Sequence, residues 1–323
     1  MSAKGNSAEL LPGTFFWFQT AGELLELSGT DVLSFLHRMS TAEIAGLPLG
    51  QGRATVFVTE KGRIKDVGIV LHREPGNVEV FCSAGAGEEL LAWLRRFRVL
   101  DDVRFHPPQR WGGAELHGAP SKELLTALGL PRVTPVHWGA GYAGEWRGYP
   151  LRCFRVPAFI PDSAYRLLVP EERSAQLWEA LRECAGEPLT SEQVEALRIA
   201  AGHGRHGTEW TEEYNPWEAG LTELVSLTKG CYVGQEVIAR LSTYDKVQRQ
   251  LVRFYSPSSL SAPAPLFASQ RQVGILTSAA FDPWRRQWIA LGYLRREWVW
   301  TQEFQLETAP GVWVPIYRWD RNS

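Results

Sequence analysis

The feature that most constrains this chain is the place where its helical signal ends. Beyond about residue 246, the segments Leu251–Tyr255, Val273–Ser278, Trp288–Leu294, Val299–Leu306 and Val312–Tyr317 all read as strands. A Pro/Ser-rich loop, Ser256–Pro265, separates the first two. Short strands broken by turn residues predict a small β-barrel or sandwich over residues 246–323.

Upstream of that point strands alternate with helices. Leu24–Leu27 reads as a strand, and Thr30 is placed to cap a helix carrying Val32, Leu33, Phe35, Leu36 and Met39 at helical spacing. Ala54–Thr59 and Ile64–Leu71 are strands joined by a hairpin at Glu60–Arg63, and Val78–Cys82 is another strand. Glu88–Phe97 is an amphipathic helix. Residues 107–148 are rich in Gly, Pro and Trp and read as irregular connection, with a short helix near Ser121–Leu128. Leu151–Val156 and Tyr165–Val169 are strands. The helix Glu171–Ala185 turns Leu177, Trp178, Leu181 and Cys184 inward and stops at Gly186. Thr190 and Gln193 form a capping box for a helix ended by Gly202. This order predicts an α+β region of split β-α-β units over residues 12–245, preceded by a disordered tail, residues 1–11.

Charge excludes some partners. The 323 residues carry 34 basic and 36 acidic side chains, a formal net charge of −2, so no global field draws nucleic acid or an acidic membrane. No apolar run reaches transmembrane length, and the polar, Gly/Ser-containing start lacks a signal-peptide pattern. A cytoplasmic protein with no membrane or direct nucleic-acid partner is expected. The 14 tryptophans suit β-rich core and rim packing, and some could stack on a flat ligand.

Four cysteines, Cys82, Cys153, Cys184 and Cys231, form no Cys-x-x-Cys pair, so neither zinc nor a redox motif is indicated. The first three lie in strand-like or helix-like runs, the usual places for inert buried thiols. Cys231 is different. It stands inside Lys229-Gly-Cys-Tyr-Val-Gly-Gln-Glu236, which continues to Arg240. Glycines let backbone approach a ligand closely, and the polar groups between them are candidates for contact.

Other segments then acquire a common meaning. Leu25–Asp31, Phe35-Leu36 and Gly50–Gly52 resemble the N-terminus of the glycine-cleavage T-protein superfamily. Glu195–Gly202, Gly207–Glu209 and Asn215–Leu221 are similar to that superfamily's second signature, and Gly274–Ser278 with Ala290–Tyr293 is similar to its barrel. Lys229–Glu236 resembles the hallmark of the YgfZ-type folate-binding branch. The resemblance implies two interlocked split β-α-β modules and a C-terminal barrel in a cloverleaf around a tetrahydrofolate channel. It also implies a role in iron–sulfur cluster assembly or repair, with assembly proteins or client enzymes as partners, reaching tRNA modification through them. A folate-dependent aminomethyl or one-carbon transferase is the alternative.

The same resemblance assigns candidate residues. Cys231 becomes a redox-sensitive or cluster-contacting thiol at the channel mouth, or else a small residue beside glycine. Lys229 and Arg240 could pair with folate carboxylates, or be solvated charges. Gln235 and Glu236 could bond pterin edges, or cap the helix that starts there. Gly230 and Gly234 shape the backbone, with Tyr232 between them. Arg198 matches a folate-binding arginine, although the acid that follows it in T-proteins is missing from Leu197-Arg-Ile-Ala200. Asp162 lies where T-proteins have a folate-binding glutamate, in a turn that has lost its glycines. Asp66 is what remains of an Asp-Asp pair whose other member is Lys65 here. His203 and His206 form a His-x-x-His pair without a fuller ligand set, so no resident metal is expected.

Overall fold

Strand β1 (Phe16–Ser28) joins the two halves of one sheet. The structure is a computed structural model that describes residues 15–119, 121–130, 137–160, 163–243 and 247–319. After β1 come α1 (Val32–Met39), β2 (Gly52–Val58), β3 (Ile64–Glu74), β4 (Asn77–Ser83), α2 (Gly87–Phe97) and the short β5 (Arg104–Phe105). The second half holds β6 (Gln109–His117), α3 (Ser121–Ala127), β7 (Gly141–Trp146), β8 (Tyr149–Arg155), β9 (Ala164–Pro170), α4 (Ser174–Ala185) and α5 (Ser191–Ala201). Helix α6 (Gln235–Thr243) leads to β10 (Arg249–Ser256), β11 (Ala264–Ala268), β12 (Arg271–Asp282), β13 (Gln287–Arg295), β14 (Glu303–Ala309) and β15 (Val312–Trp319).

The strand order is β2-β3-β4-β1-β6-β9-β8-β7, with β5 beside β1. The two α+β modules therefore share one nine-stranded sheet, sewn together where β1 pairs antiparallel with β6 from Phe16↔His117 to Leu24↔Gln109. In the first module Leu25, Leu27, Val78 and Val80 pack under Phe35 and Leu36 of α1 and Leu90 and Leu94 of α2. In the second, Trp17, Leu116, Tyr165 and Leu167 pack under Leu177 and Leu181 of α4. A third core takes Val56, Ile69, Phe81, Trp111, Phe154 and Tyr214 from the sheet and the chain beyond it, and reaches Tyr293 of the barrel. The rings of Tyr214 and Tyr293 stack at 3.5 Å, and the Tyr293 hydroxyl donates to the Glu209 carbonyl at 2.8 Å.

The barrel closes as β10-β13-β12-β11-β14-β15, with β15 returning to β10. Its wall is covered by α5, whose Ala196 and Ile199 pack on Ile289 and Leu291. Helix α5 has the expected ends: Thr190 accepts from Gln193 N–H, the Gln193 side chain returns to the Thr190 N–H, and Gly202 closes it in the left-handed region.

Several expectations are corrected. The stretch 107–148, read as irregular, contains β6 and β7. Its glycines mark close approach, because a Cβ on Gly113 would lie 1.8 Å from the Leu167 carbonyl oxygen of β9. Glycine there hides the strand from a propensity reading while the sheet requires it. Strand β11, not expected from the sequence, starts in the last two residues of the region read as a Pro/Ser loop and runs to Ala268. The segment read as Val299–Leu306 becomes strand only at Glu303, after a 3-10 turn at Arg296–Trp298. Thr30 does not cap α1: the N-cap is Asp31, without a side-chain cap bond, and Thr30 donates its N–H and hydroxyl to Asp102 at 3.0 and 3.1 Å. Cys184 is exposed rather than inward-facing. The expected tail, the boundary at residues 245/246 and Asp162 lie outside the described residues. Among the described residues no helix is long and apolar enough to cross a membrane.

Candidate ligand-binding cleft

A cleft of about 840 Å³ opens between the sheet and the start of α5. This is the size of a small-molecule site. Phe18 of β1, Ile69 of β3, Ser83 of β4, Glu115 of β6 and Arg166 of β9 line one side. The N-terminus of α5 and the loop 203–210 line the other. One part of the wall is aromatic. Phe18 stacks 5.4 Å from His117 and 5.8 Å from Phe159, and His117 lies 4.7 Å from Phe159. These groups come together because β1 and β6 are neighbours in register, which no local pattern announces.

Glu115, Glu195 and Asp66, three carboxylates of this region, are all paired. Glu115 accepts from Arg166 at 2.8 and 2.6 Å and lies 3.3 Å from His117 Nε2. Burial pushes the Glu115 carboxyl up, but Arg166 and His117 outweigh it and hold it at about 2. Glu195 accepts from Arg198 and Arg205. Asp66 accepts from Ser83 twice, N–H at 2.9 Å and hydroxyl at 2.7 Å, and its Oδ1 lies 3.2 Å from His206 Nδ1. Lys65, in the place of the second acid, is bridged to Glu89 at 2.7 Å and to Glu212. Burial works against the Lys65 charge, yet these two carboxylates raise its pKa.

Arg198 reaches the cleft wall, but every one of its five N–H donors is used within the chain. Nε and Nη2 donate to Glu195 at 2.9 and 2.8 Å, Nη1 to the His203 carbonyl at 2.5 Å and Glu209 at 3.0 Å, and Nη2 to Ser278 of β12 at 2.7 Å. Arg198, expected to grip folate, has in this arrangement no donor left to offer. Glu209, fully buried, completes the knot by accepting from Thr277 at 2.7 Å, Ser278 at 2.6 Å and the Arg205 N–H at 3.1 Å. Arg198 and Glu209 together tie α5 and the 203–209 loop to the barrel.

A second cleft, of about 860 Å³, is bounded by β10, the 217–223 turns and Trp319. It shares Trp138, His203, Gly204 and Trp210 with the first, and the two indole rings lie 6.4 Å apart between them.

The segment Lys229–Arg240 lines neither cleft. Lys229 is buried, and its ammonium donates to the carbonyls of His37, Ser40 and Ala42 at 2.5, 2.6 and 2.7 Å. Burial pushes this amine down to about 7. Three acceptors nevertheless need three donors, which only the ammonium supplies. Lys229 thus satisfies carbonyls at and just beyond the C-terminus of α1 and is not available to folate carboxylates. Tyr232 is buried under it, the Lys229 Nζ 5.0 Å from its ring. Gly234 has φ +78°, and a Cβ there would lie 2.5 Å from the Thr59 carbonyl oxygen, so glycine is required for the loop to seat on the β2–β3 hairpin. Around Gly230 there is open space. Gln235 starts α6, and Glu236 and Arg240 pair with each other at 2.5 Å on its surface, 76% and 69% exposed. Cys231 is exposed. Arg240, Glu236 and Cys231, expected at the ligand, thus lie outside the lining of both clefts.

Sequence reasoning missed Glu115, Arg166 and the aromatic trio. Glu115 and His117 sit two residues apart on one face of β6, a signal that was readable only after 109–117 is known to be a strand. Among the described residues no group of three His, Cys, Asp or Glu could hold a metal ion.

Comparison with known proteins agrees with the fold. The chain aligns with a putative chloroplastic transferase of Arabidopsis thaliana, 29% identical over 280 residues, covering 84% of this chain and 63% of the relative's length. It is 27% identical over 290 residues to the mitochondrial aminomethyltransferase of Solanum tuberosum, covering 84% and 70% respectively. The crystal structure of the glycine cleavage system aminomethyltransferase T from Bartonella henselae superposes with a TM-score of 0.81 at 20% identity, covering 96% of this chain and 86% of that one. Residues 19–229 match the GCVT N-terminal domain family and residues 249–321 the glycine cleavage T-protein C-terminal barrel domain, so the chain belongs to the glycine-cleavage T-protein superfamily.

Proposed function

We propose that this chain binds tetrahydrofolate or a derivative and acts as an accessory protein of the YgfZ type. In this role it supports iron–sulfur cluster assembly or repair and, through cluster enzymes, tRNA modification. The observation that carries this reading is the pairing of Asp66, Glu115 and Glu195 with groups of the chain itself. With Lys65 in place of the second acid, the cleft is built to bind rather than to run carboxylate acid–base chemistry. The cleft residues fit a folate. Phe18 and Phe159 offer faces for a flat ring, backed by the buried His117, and Arg166 and Arg205 offer cations for a carboxylate tail. Arg198 acts through Glu195 and Glu209 as a positioning residue. Bound tetrahydrofolate supplies nitrogens that carry one-carbon groups.

Cys231 serves a separate task in this reading. It is exposed on a loop held rigid by Lys229, Tyr232 and Gly234, where a partner protein can reach it. One thiol does not hold a cluster, so the other ligands come from an assembly protein or client enzyme. All four cysteines are free, which suits the reducing cytoplasm.

The test is a calorimetric titration with 5-formyl-tetrahydrofolate beside cluster-enzyme assays in a deletion strain complemented with wild type or Cys231→Ala. Binding with loss of complementation by Cys231→Ala supports the reading. Absence of folate binding together with unchanged cluster-enzyme activities in the deletion strain sinks it. A second reading, a folate-dependent aminomethyl or one-carbon transferase, is favoured by the names of the Solanum and Bartonella relatives. Methylene-tetrahydrofolate formation that collapses in Asp66→Ala would restore it.

A further inference from the structure

Among the titratable groups of the cleft that neither reading uses is His206. His206 lies in the loop between α5 and the Asn215 turn and is 27% exposed by side chain. Its Nδ1 is buried and faces Asp66 Oδ1 at 3.2 Å. With the ring protonated the two form an ion pair. Asp66 cannot turn away, because the N–H and hydroxyl of Ser83 hold both of its oxygens and it is 1% exposed. With Nδ1 against the carboxylate, Nε2 is the ring nitrogen left for a ligand, on a residue that lines the cleft.

We propose that His206, oriented by Asp66, is a cationic hydrogen-bond donor to the ligand of the central cleft, recognising an acceptor nitrogen, carbonyl oxygen or carboxylate. This deepens the folate reading and rests on it. An Asp–His pair of this kind keeps a proton where the superfamily's second acid has been replaced by Lys65. The charged groups around the ring come from three elements. Asp66 and Lys65 belong to β3, Glu89 to α2, and Glu212 follows the loop and neutralises Lys65 from the far side. The contact with Asp66 raises the His206 pKa, burial opposes this, Glu89 adds to it and Lys65 subtracts. The sign follows directly: with its pKa raised above 6.5, the ring stays an imidazolium where an ordinary histidine is neutral. The donor is lost as pH rises through the raised value.

A titration with 5-formyl-tetrahydrofolate from pH 5.5 to 8.5, read by Trp fluorescence, tests this in wild type, His206→Gln and Asp66→Asn. Wild-type affinity is expected to fall as pH rises. His206→Gln, which keeps a neutral donor, should bind about tenfold more weakly at the acid end and lose the pH slope. Asp66→Asn should move the midpoint to lower pH. An NMR titration of the His206 ring in the unliganded protein should give a pKa above that of free histidine, lowered in Asp66→Asn. Binding that is equally tight in His206→Gln, or a wild-type profile that His206→Gln leaves unchanged, overturns this inference and leaves the folate reading standing. Absence of folate binding by wild type at every pH overturns both.

Discussion

The cleft wall from Arg198 to Glu209 and the loop from Lys229 to Arg240 both carry buried cations, yet they spend them differently. Arg198 ties three pieces together: its own helix, the following loop and the barrel. Lys229 closes the end of one helix in the first module. The first sits at the cleft and the second away from it. A cation in a signature segment therefore says nothing about ligand contact until its donors have been counted. The planar, five-donor guanidinium suits a three-way junction, while the three-donor ammonium suits a cluster of helix-end carbonyls.

Substitutions should separate these roles. The largest loss is expected for Arg198→Ala, which leaves Glu209 buried and uncompensated: about 3–5 kcal/mol by urea denaturation. A loss under 1 kcal/mol would break the view of Arg198 as a junction. Next comes Glu115 on the opposite wall. Its carboxyl is held at about 2 against an ordinary 4.5, so the folded state binds its proton more weakly than the unfolded state. The stabilisation is complete above about pH 4.5 and fades as pH falls toward 2, in total about 3 kcal/mol. Glu115→Gln should flatten that part of the stability–pH curve, and an unchanged curve would refute the pairing with Arg166. Lys229→Met should cost about 2 kcal/mol by stranding helix-end carbonyls, with folate affinity within twofold of wild type. A folate-binding defect there would erase the contrast between the two segments. The smallest effect belongs to Cys231→Ser, an exposed change expected within about 0.5 kcal/mol in thermal or urea melts.

Some of this was legible in advance. The capping box at Thr190, the glycine stop at Gly202 and the strand-only C-terminus depend on neighbours close in sequence, where side chains and backbone meet within a turn. Strand β6 was hidden because Gly112 and Gly113 serve a close approach to elements more than fifty residues away. The aromatic trio was invisible for the same reason. Phe18, His117 and Phe159 are scattered along the chain and meet only across β1 and β6 and the loop beyond β8.

By itself the sequence determined many of the local elements, the α+β region followed by a β module, and membership of a superfamily, since these rest on short-range periodicity and ordered motifs. Tertiary structure decided which charged groups remain able to meet a ligand. That depends on partners brought from distant segments: Ser278 and Glu209 to Arg198, three carbonyls to Lys229, Ser83 to Asp66, and Asp66 in turn to His206.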